Sequence, residues 1–188
     1  MSQVRYTKTA IILHWMIALM IIGLIAAGII MTRLEPYSSL QITLYQLHKS
    51  FGIMVLLLSL LRLLWRLSHK PPALPAHMKP WERFAATSTH VFFYLIMIGM
   101  PLLGWAMVSA SPTNIPTKLF FTIPWPHLPI LPRLENNKEV AELFEFLHKN
   151  IGKATILLIA LHMGAALKHH FKDKDDVLRQ MIPGLKKK

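Results

Sequence analysis

The chain contains four apolar stretches that are each long enough to cross a lipid bilayer. Hydrophobic residues make up 53% of its 188 positions, and the four stretches lie at about 9–31, 47–67, 84–110 and 146–170. A helix of about 20 apolar residues spans the hydrocarbon core of a membrane. Backbone polar groups in lipid must be paired internally, which favours helices for segments of this length. The sequence predicts an all-α membrane protein, a four-transmembrane-helix bundle forming a single domain over residues 1–188.

Basic residues are concentrated on one side of this predicted bundle. With the N-terminus, the 62–83 connection and the C-terminal tail together, that side carries 14 Lys and Arg against 4 Asp and Glu, whereas the other side carries 7 against 5. Cytoplasmic loops are enriched in Lys and Arg, so we expect both termini to be cytoplasmic. The net charge of +12 then needs no nucleic acid partner, because it reflects topology and contact with anionic membrane lipid.

Four histidines lie inside the apolar stretches at two matching depths. His148 and His162 are fourteen residues apart, close to four helical turns, so both side chains leave one helical face about 21 Å apart. His48 matches the external depth of His148, and His14 matches the cytoplasmic depth of His162. Ionisable residues inside a membrane are costly and usually functional. We therefore expect His48 to pair with His148, and His14 with His162.

The pairing favours a haem over a bare metal ion at each depth. A zinc site would gather four ligands at one depth, but these histidines come in twos and no Asp or Glu lies inside a predicted span. The chain has no cysteine, which excludes iron–sulfur clusters. A haem supplies four nitrogens itself, and two axial histidines close its coordination in favour of electron transfer. The pattern predicts two haems, with the four histidines as ligands of haem iron.

A short repeated motif surrounds the two external histidines. Residues 47–52 and residues 147–152 both read Leu-His-Lys-x-x-Gly. Each glycine lies one turn beyond its histidine on the same helical face. A missing side chain lets a large flat ligand approach the backbone, so we expect Gly52 and Gly152 to pack against the external haem.

Four basic side chains near the predicted haem levels are candidate partners for haem propionates. Lys49 and Lys149 flank the external histidines, and their alternative role is to attract a small anionic donor by electrostatic steering. Arg62 and Arg66 stand one turn apart at the inner end of the second helix. Anchoring at the membrane interface is the simpler interpretation of these arginines.

Several short motifs stand in a fixed order along the whole chain. They are His14-Trp15, His48-Lys49-x-x-Gly52, Leu61-Arg62-Leu63-Leu64-Trp65-Arg66, Thr89-His90 with Tyr94, His148 with His162, Leu167-Lys168-His169-His170-Phe171, and Lys174-Asp175. This ordered set resembles the bacterial cytochrome b561 family. The resemblance implies a multi-pass, di-haem b protein of the bacterial inner membrane that exchanges electrons with quinone, with haem ligands matching His14, His48, His148 and His162. One branch of the family oxidises superoxide at the external face and reduces ubiquinone.

Three further histidines lie toward the cytoplasmic side. His90 is near the depth of His14 and His162. It is an alternative iron ligand, a partner for a propionate or a quinone carbonyl, or a structural histidine. His169 and His170 lie at the cytoplasmic interface, where a quinone headgroup needs hydrogen-bond donors and a proton route. Simple solvation is the alternative for this pair.

The sequence thus predicts an electron-transport protein that passes electrons between an external donor and the quinone pool. As an oxidoreductase it would be a quinone reductase, with superoxide the leading donor and ubiquinone the acceptor. The alternative is the membrane cytochrome b subunit of a larger dehydrogenase or hydrogenase, although the short external loops argue against a large docking partner. A haem-free transporter using paired histidines is a third alternative, which the lack of intramembrane acids weakens.

Overall fold

Four long helices account for most of the computed structural model, which describes residues 5–112, 116–133 and 137–182. The helices are α1 (Lys8–Met31), α2 (Ser39–Ser68), α3 (Pro80–Ala110) and α4 (Asn137–Phe171). All four are long and apolar enough to cross a membrane. The prediction of an all-α, four-helix membrane bundle is therefore confirmed.

The helices extend beyond the apolar stretches because polar residues outside those stretches cap them. The Thr7 hydroxyl accepts a hydrogen bond from the Ala10 amide at the start of α1, and the Ser38 hydroxyl accepts one from Gln41 at the start of α2. Such caps satisfy backbone donors that have no partner inside the helix. α2 consequently begins eight residues before the apolar stretch that starts at 47. α4 begins nine residues before 146, because the amphipathic segment ahead of that stretch is helical.

Neighbouring helices in the chain pack on each other, while α4 stands apart from the first two. α1 packs along α2, α2 along α3 and α3 along α4, and α4 has little or no close backbone contact with α1 or α2 in the described residues. The buried core joins the first three helices through Ile17, Val55 and Met97. Large apolar side chains such as Leu19 and Leu161 face outward, as expected for helices that contact lipid.

One end of the bundle, here called the loop end, is covered by a two-stranded hairpin. Strands β1 (Thr117–Leu119) and β2 (Ile123–Trp125) pair antiparallel. The Phe120 amide at the hairpin turn donates to the Ser50 hydroxyl of α2 at 2.8 Å. The Phe120 ring also contacts Phe51, with ring centroids 5.4 Å apart. The hairpin is therefore fixed to α2 beside the level of His48.

The opposite end, here called the basic end, is formed by residues 5–7, the 69–79 link and the 172–182 tail. The tail leaves α4 and reaches α1, where the indole nitrogen of Trp15 donates to the Met181 carbonyl at 2.7 Å. The tail therefore connects α4 to α1, two helices that do not pack on each other along the bundle.

Candidate functional site

At the loop end, His48 of α2 and His148 of α4 face each other. Their ring centroids are 6.2 Å apart, with the ring planes inclined by 65°. Two imidazoles bonded to opposite sides of one metal ion, with bonds of about 2 Å, have centroids roughly 6.3 Å apart. The two rings belong to helices that are not packed on each other. Their spacing therefore suits two ligands that share one metal.

The His148 ring lies against a glycine of α3. The carbonyl of Met100 faces the ring, and Gly104 follows four residues later. A Cβ added to Gly104 would lie 3.2 Å from His148 Cε1, closer than nearly all real contacts of this kind. The missing side chain at Gly104 therefore makes room for the ring.

The His48 ring has the same surroundings on α1. The carbonyl of Leu24 faces it, and Gly28 follows four residues later, where an added Cβ would lie 3.6 Å from His48 Cε1. Neither Gly28 nor Gly104 was predicted from the sequence to contact a histidine. Each glycine lies in a different helix from the histidine that it contacts. In the sequence, only the matching depth of glycine and histidine could have indicated such a contact.

The second nitrogen atoms of these rings also fit a metal-bound histidine. Nδ1 of His48 and Nδ1 of His148 are buried, and neither forms a hydrogen bond of ordinary geometry with a described residue. A buried polar atom without a partner costs about 1–3 kcal/mol. A ligating histidine commonly donates its free N–H to a backbone carbonyl, and the Leu24 and Met100 carbonyls are the backbone acceptors beside these rings. The residues present therefore fit a bis-histidine haem.

Toward the basic end, three histidines from three helices meet. The ring centroid of His162 on α4 is 6.3 Å from that of His14 on α1 and 6.4 Å from that of His90 on α3. Ring spacing alone does not choose between the two partners. Helix packing favours His14, because α3 packs directly on α4 whereas α1 does not. A flat macrocycle between two rings needs helices that are held apart.

Two arginines of α2 lie beside these three histidines. Arg62 donates to the Ala10 carbonyl at 2.6 Å and is close to all three rings. The Arg66 guanidinium lies over the Tyr94 ring, 5.8 Å from its centroid. Within the described residues neither arginine forms an ion pair with a carboxylate. A partly buried cation in a membrane bundle calls for an anion, and a propionate matches the planar guanidinium.

The two lysines of the repeated motif differ in their surroundings. Lys149 forms an ion pair with Glu145 one turn earlier on α4. Lys49 is half-buried and has no ion-pair partner among the residues that the structure describes. The charge available to an anion at the loop end therefore comes more from Lys49 than from Lys149.

The glycines of the same motif do not contact the paired histidine rings. A Cβ added to Gly52 would meet nothing within 4 Å, and one added to Gly152 would meet only Met100 Cε, at 3.9 Å. Close approach of a flat ligand to these two glycines stays a prediction.

At the basic end, His169 is held by the tail instead of being solvated. It is 7% exposed, and its Nδ1 lies 2.7 Å from an Asp175 oxygen and 3.2 Å from an Asp173 oxygen. A hydrogen bond from Lys168 holds the pKa of the Asp173 carboxyl below its ordinary value, so Asp173 is ionised at neutral pH. His170 has a buried Nδ1 with no hydrogen-bond partner in the described part of the chain.

Comparison with known proteins places the whole chain in one family. A family model described as prokaryotic cytochrome b561 matches residues 5–184. Cytochrome b561 homolog 2 of Escherichia coli (strain K12) is 30% identical over 178 residues, covering 95% of this chain and 91% of the relative. Cytochrome b561 homolog 1 of the same organism is 29% identical, with 95% and 97% covered. A Yersinia pestis protein named probable superoxide oxidase CybB is 28% identical, with 95% and 96% covered.

The family match covers the helices that carry the paired histidines. The match extends over all four apolar helices, and the paired histidines stand on those helices with spacing suited to a metal between them. The chain therefore belongs to the prokaryotic cytochrome b561 family and is a membrane cytochrome that binds haem b.

Proposed function

We propose that this chain is a di-haem b cytochrome that transfers electrons across the bacterial inner membrane, between a donor at the loop end and quinone at the basic end. The observation that carries the proposal is the presence of two histidine pairs with nearly equal ring separations, 6.2 Å and 6.3 Å, at opposite levels of the bundle. Both pairs share α4, whose rise of 1.5 Å per residue separates the two levels by about 21 Å.

The protein would contribute the histidines that hold each haem and leave no free position on its iron. His48 and His148 would hold one haem at the loop end, and His14 and His162 would hold the other at the basic end. Haem supplies one-electron iron chemistry. With each iron held by two histidines, the sites would favour electron transfer over oxygen binding.

The basic end is the proposed quinone side. Quinone reduction needs protons as well as electrons, and His90, His169 and His170 are the proposed donors toward that end. Arg62 and Arg66 are proposed propionate partners, because they are partly buried cations that pair with no described carboxylate. The basicity of this end supports a cytoplasmic location for both termini, with the whole chain acting as one membrane domain.

Superoxide is the proposed donor at the loop end. One relative carries the name probable superoxide oxidase, and half-buried Lys49 places positive charge beside the His48 level. A small anion is drawn to such charge by electrostatic steering. The acceptor would be ubiquinone, which makes the proposed activity that of a superoxide oxidase and ubiquinone reductase. Reduction of the haems by superoxide and their reoxidation by added ubiquinone would be followed by visible absorbance.

Haem content is the first test of the proposal. A pyridine haemochrome assay of the purified chain is expected to give two haem b per chain, with a low-spin spectrum. His48→Ala and His148→Ala should each lower the value to one, because each removes an axial bond from the same iron. His127→Ala is the matched control, since His127 follows strand β2 and belongs to neither histidine pair. One haem or none in the unmodified chain would contradict the di-haem proposal.

A further inference from the structure

A separate cluster of nitrogen and oxygen donors lies at the basic end, away from the paired histidine rings. It consists of His77 from the 69–79 link, His169 near the end of α4, and Asp173 and Asp175 from the tail. Each contributes one ligand atom, and these four atoms all lie within 4.8 Å of one another. We propose that this cluster binds a divalent transition-metal ion, and that zinc is the ion it fits best.

The distances between the donor atoms are close to those of a four-coordinate site. His169 Nδ1 lies 2.7 Å from Asp175 Oδ2 and 3.2 Å from Asp173 Oδ2, and His77 Nε2 lies 3.3 Å from Asp175 Oδ2. Tetrahedral zinc with bonds of about 2.0–2.2 Å has ligand atoms roughly 3.3–3.6 Å apart. Small side-chain movements therefore bring the cluster to zinc geometry.

The charges within the cluster also call for a cation. Two carboxylates approach the same imidazole nitrogen, and their side chains are only 18% and 9% exposed. Lys168 reaches Asp173 at 2.8 Å but shares its charge with Glu82 at 2.7 Å. Lys168 thus shares one positive charge between two carboxylates, and Asp175 forms no ion pair with a Lys or Arg among the described residues. A divalent ion between Asp173 and Asp175 would balance this excess of negative charge.

Backbone contacts hold Asp175 in position before any ion binds. Its Oδ1 accepts a hydrogen bond from the Val177 amide at 3.0 Å, and its own amide donates to the His169 carbonyl at 3.1 Å. These bonds leave Oδ2 directed toward the histidines. Outer contacts that orient the ligands in this way are characteristic of metal sites. His77 is exposed, so it provides the side from which an ion enters.

The donor set identifies the class of metal. Calcium and magnesium prefer oxygen ligands alone, whereas imidazole suits zinc, copper, nickel and iron. Two imidazoles with two carboxylates complete a closed zinc site without cysteine. The ion would join the α2–α3 link, the end of α4 and the tail that reaches α1. This inference rests on the four donor atoms and not on the proposed electron-transfer function, since none of the four residues is a proposed haem ligand. Zinc at His169 Nδ1 would leave Nε2 as the nitrogen with which His169 could contact a quinone.

Zinc binding by the full-length chain tests the inference. The haem-loaded protein is purified through a tag without histidine, treated with a chelator and dialysed against increasing zinc sulfate, and bound zinc is measured by elemental analysis. We expect one saturable site per chain. His77→Gln and Asp173→Asn should weaken it about tenfold or more, as changes in and around metal ligands do. His127→Gln and Asp176→Asn are matched controls outside the cluster and should leave the affinity unchanged.

X-ray absorption at the zinc edge gives a second readout that does not depend on activity. The expected first shell holds about four nitrogen or oxygen atoms at about 2.0–2.2 Å, with an imidazole contribution that decreases in His77→Gln. Zinc bound with equal affinity by His77→Gln and Asp173→Asn would overturn the inference. So would an absence of saturable binding, or a shell of oxygen atoms without imidazole.

Discussion

Replacing Gly104 with alanine tests whether the His148 ring must keep its position against α3. The added Cβ would lie 3.2 Å from Cε1 and 3.5 Å from Nδ1 of His148, so the ring or α3 must move by a few tenths of an ångström. Overpacking of a tight interior costs about 1–3 kcal/mol. The gain in helix propensity from Gly to Ala is about 1 kcal/mol. If the overpacking cost falls on ring placement, haem binding at the loop end weakens roughly 5- to 150-fold.

Two other glycines of the bundle provide a graded comparison. A Cβ at Gly28 would meet His48 Cε1 at 3.6 Å, an ordinary contact, and a Cβ at Gly23 would meet nothing within 4 Å. The three substitutions add the same methyl group to a helix interior. We therefore expect the effect on loop-end haem to be largest for Gly104→Ala, small for Gly28→Ala and absent for Gly23→Ala.

The assay is transfer of haem from the detergent-solubilised cytochrome to an excess of apo-globin, followed by visible absorbance. A faster phase that accounts for half of the haem is expected in Gly104→Ala, because only the loop-end site is strained. The pyridine haemochrome value before transfer shows how much haem each variant holds. Haem release from Gly104→Ala at the rate of Gly23→Ala would refute the role assigned to the glycine.

Three further predictions concern the residues around the two levels. His14→Ala should abolish the basic-end haem while His90→Ala leaves both in place, as measured by pyridine haemochrome; the opposite result would move the axial ligand to His90. Arg62→Gln should speed haem loss from the basic end in the apo-globin assay, since it removes a partly buried charge proposed to pair with a propionate. Lys49→Glu should slow haem reduction by pulse-generated superoxide more than Lys149→Glu does. Added salt should bring the rate of haem reduction in Lys49→Glu closer to that of the unmodified chain, because salt screens the charge.

The fold follows from the sequence because the length of each apolar stretch can be read directly from the order of residues. The number and type of the helices were predictable, and the amphipathic pattern of residues 138–147 predicts a helical lead-in that continues into α4, as observed. The start of α2 was not predictable, because its cap Ser38 lies well outside the apolar stretch. Helix ends are set by local hydrogen bonds that periodicity does not report.

The candidate site was predictable where spacing along one helix and matching depth in different helices decide which residues meet. The spacing of His148 and His162 fixes their relation within α4, and the structure brings His48 and His14 to them, while the ligand roles of all four stay predictions. Gly104 was not identifiable, because its contact depends on how α3 is rotated against α4. The donor cluster around His169 was also missed, since it depends on how the tail folds back after α4.

Binding of haem should stabilise the bundle as well as carry electrons, because the paired histidines join parts of the fold that otherwise pack weakly. His48 and His14 belong to the packed pair of α1 and α2, whereas both of their partners belong to α4, which has little close contact with that pair. A ligand that binds only the folded state stabilises it by about 4 kcal/mol at a thousandfold excess over its dissociation constant. Protein produced with haem synthesis inhibited should therefore unfold at a lower temperature than the haem-loaded chain, and protease should cut its α4 side faster. Equal unfolding temperatures for the two forms would show that the helices hold their arrangement without the histidine bridges.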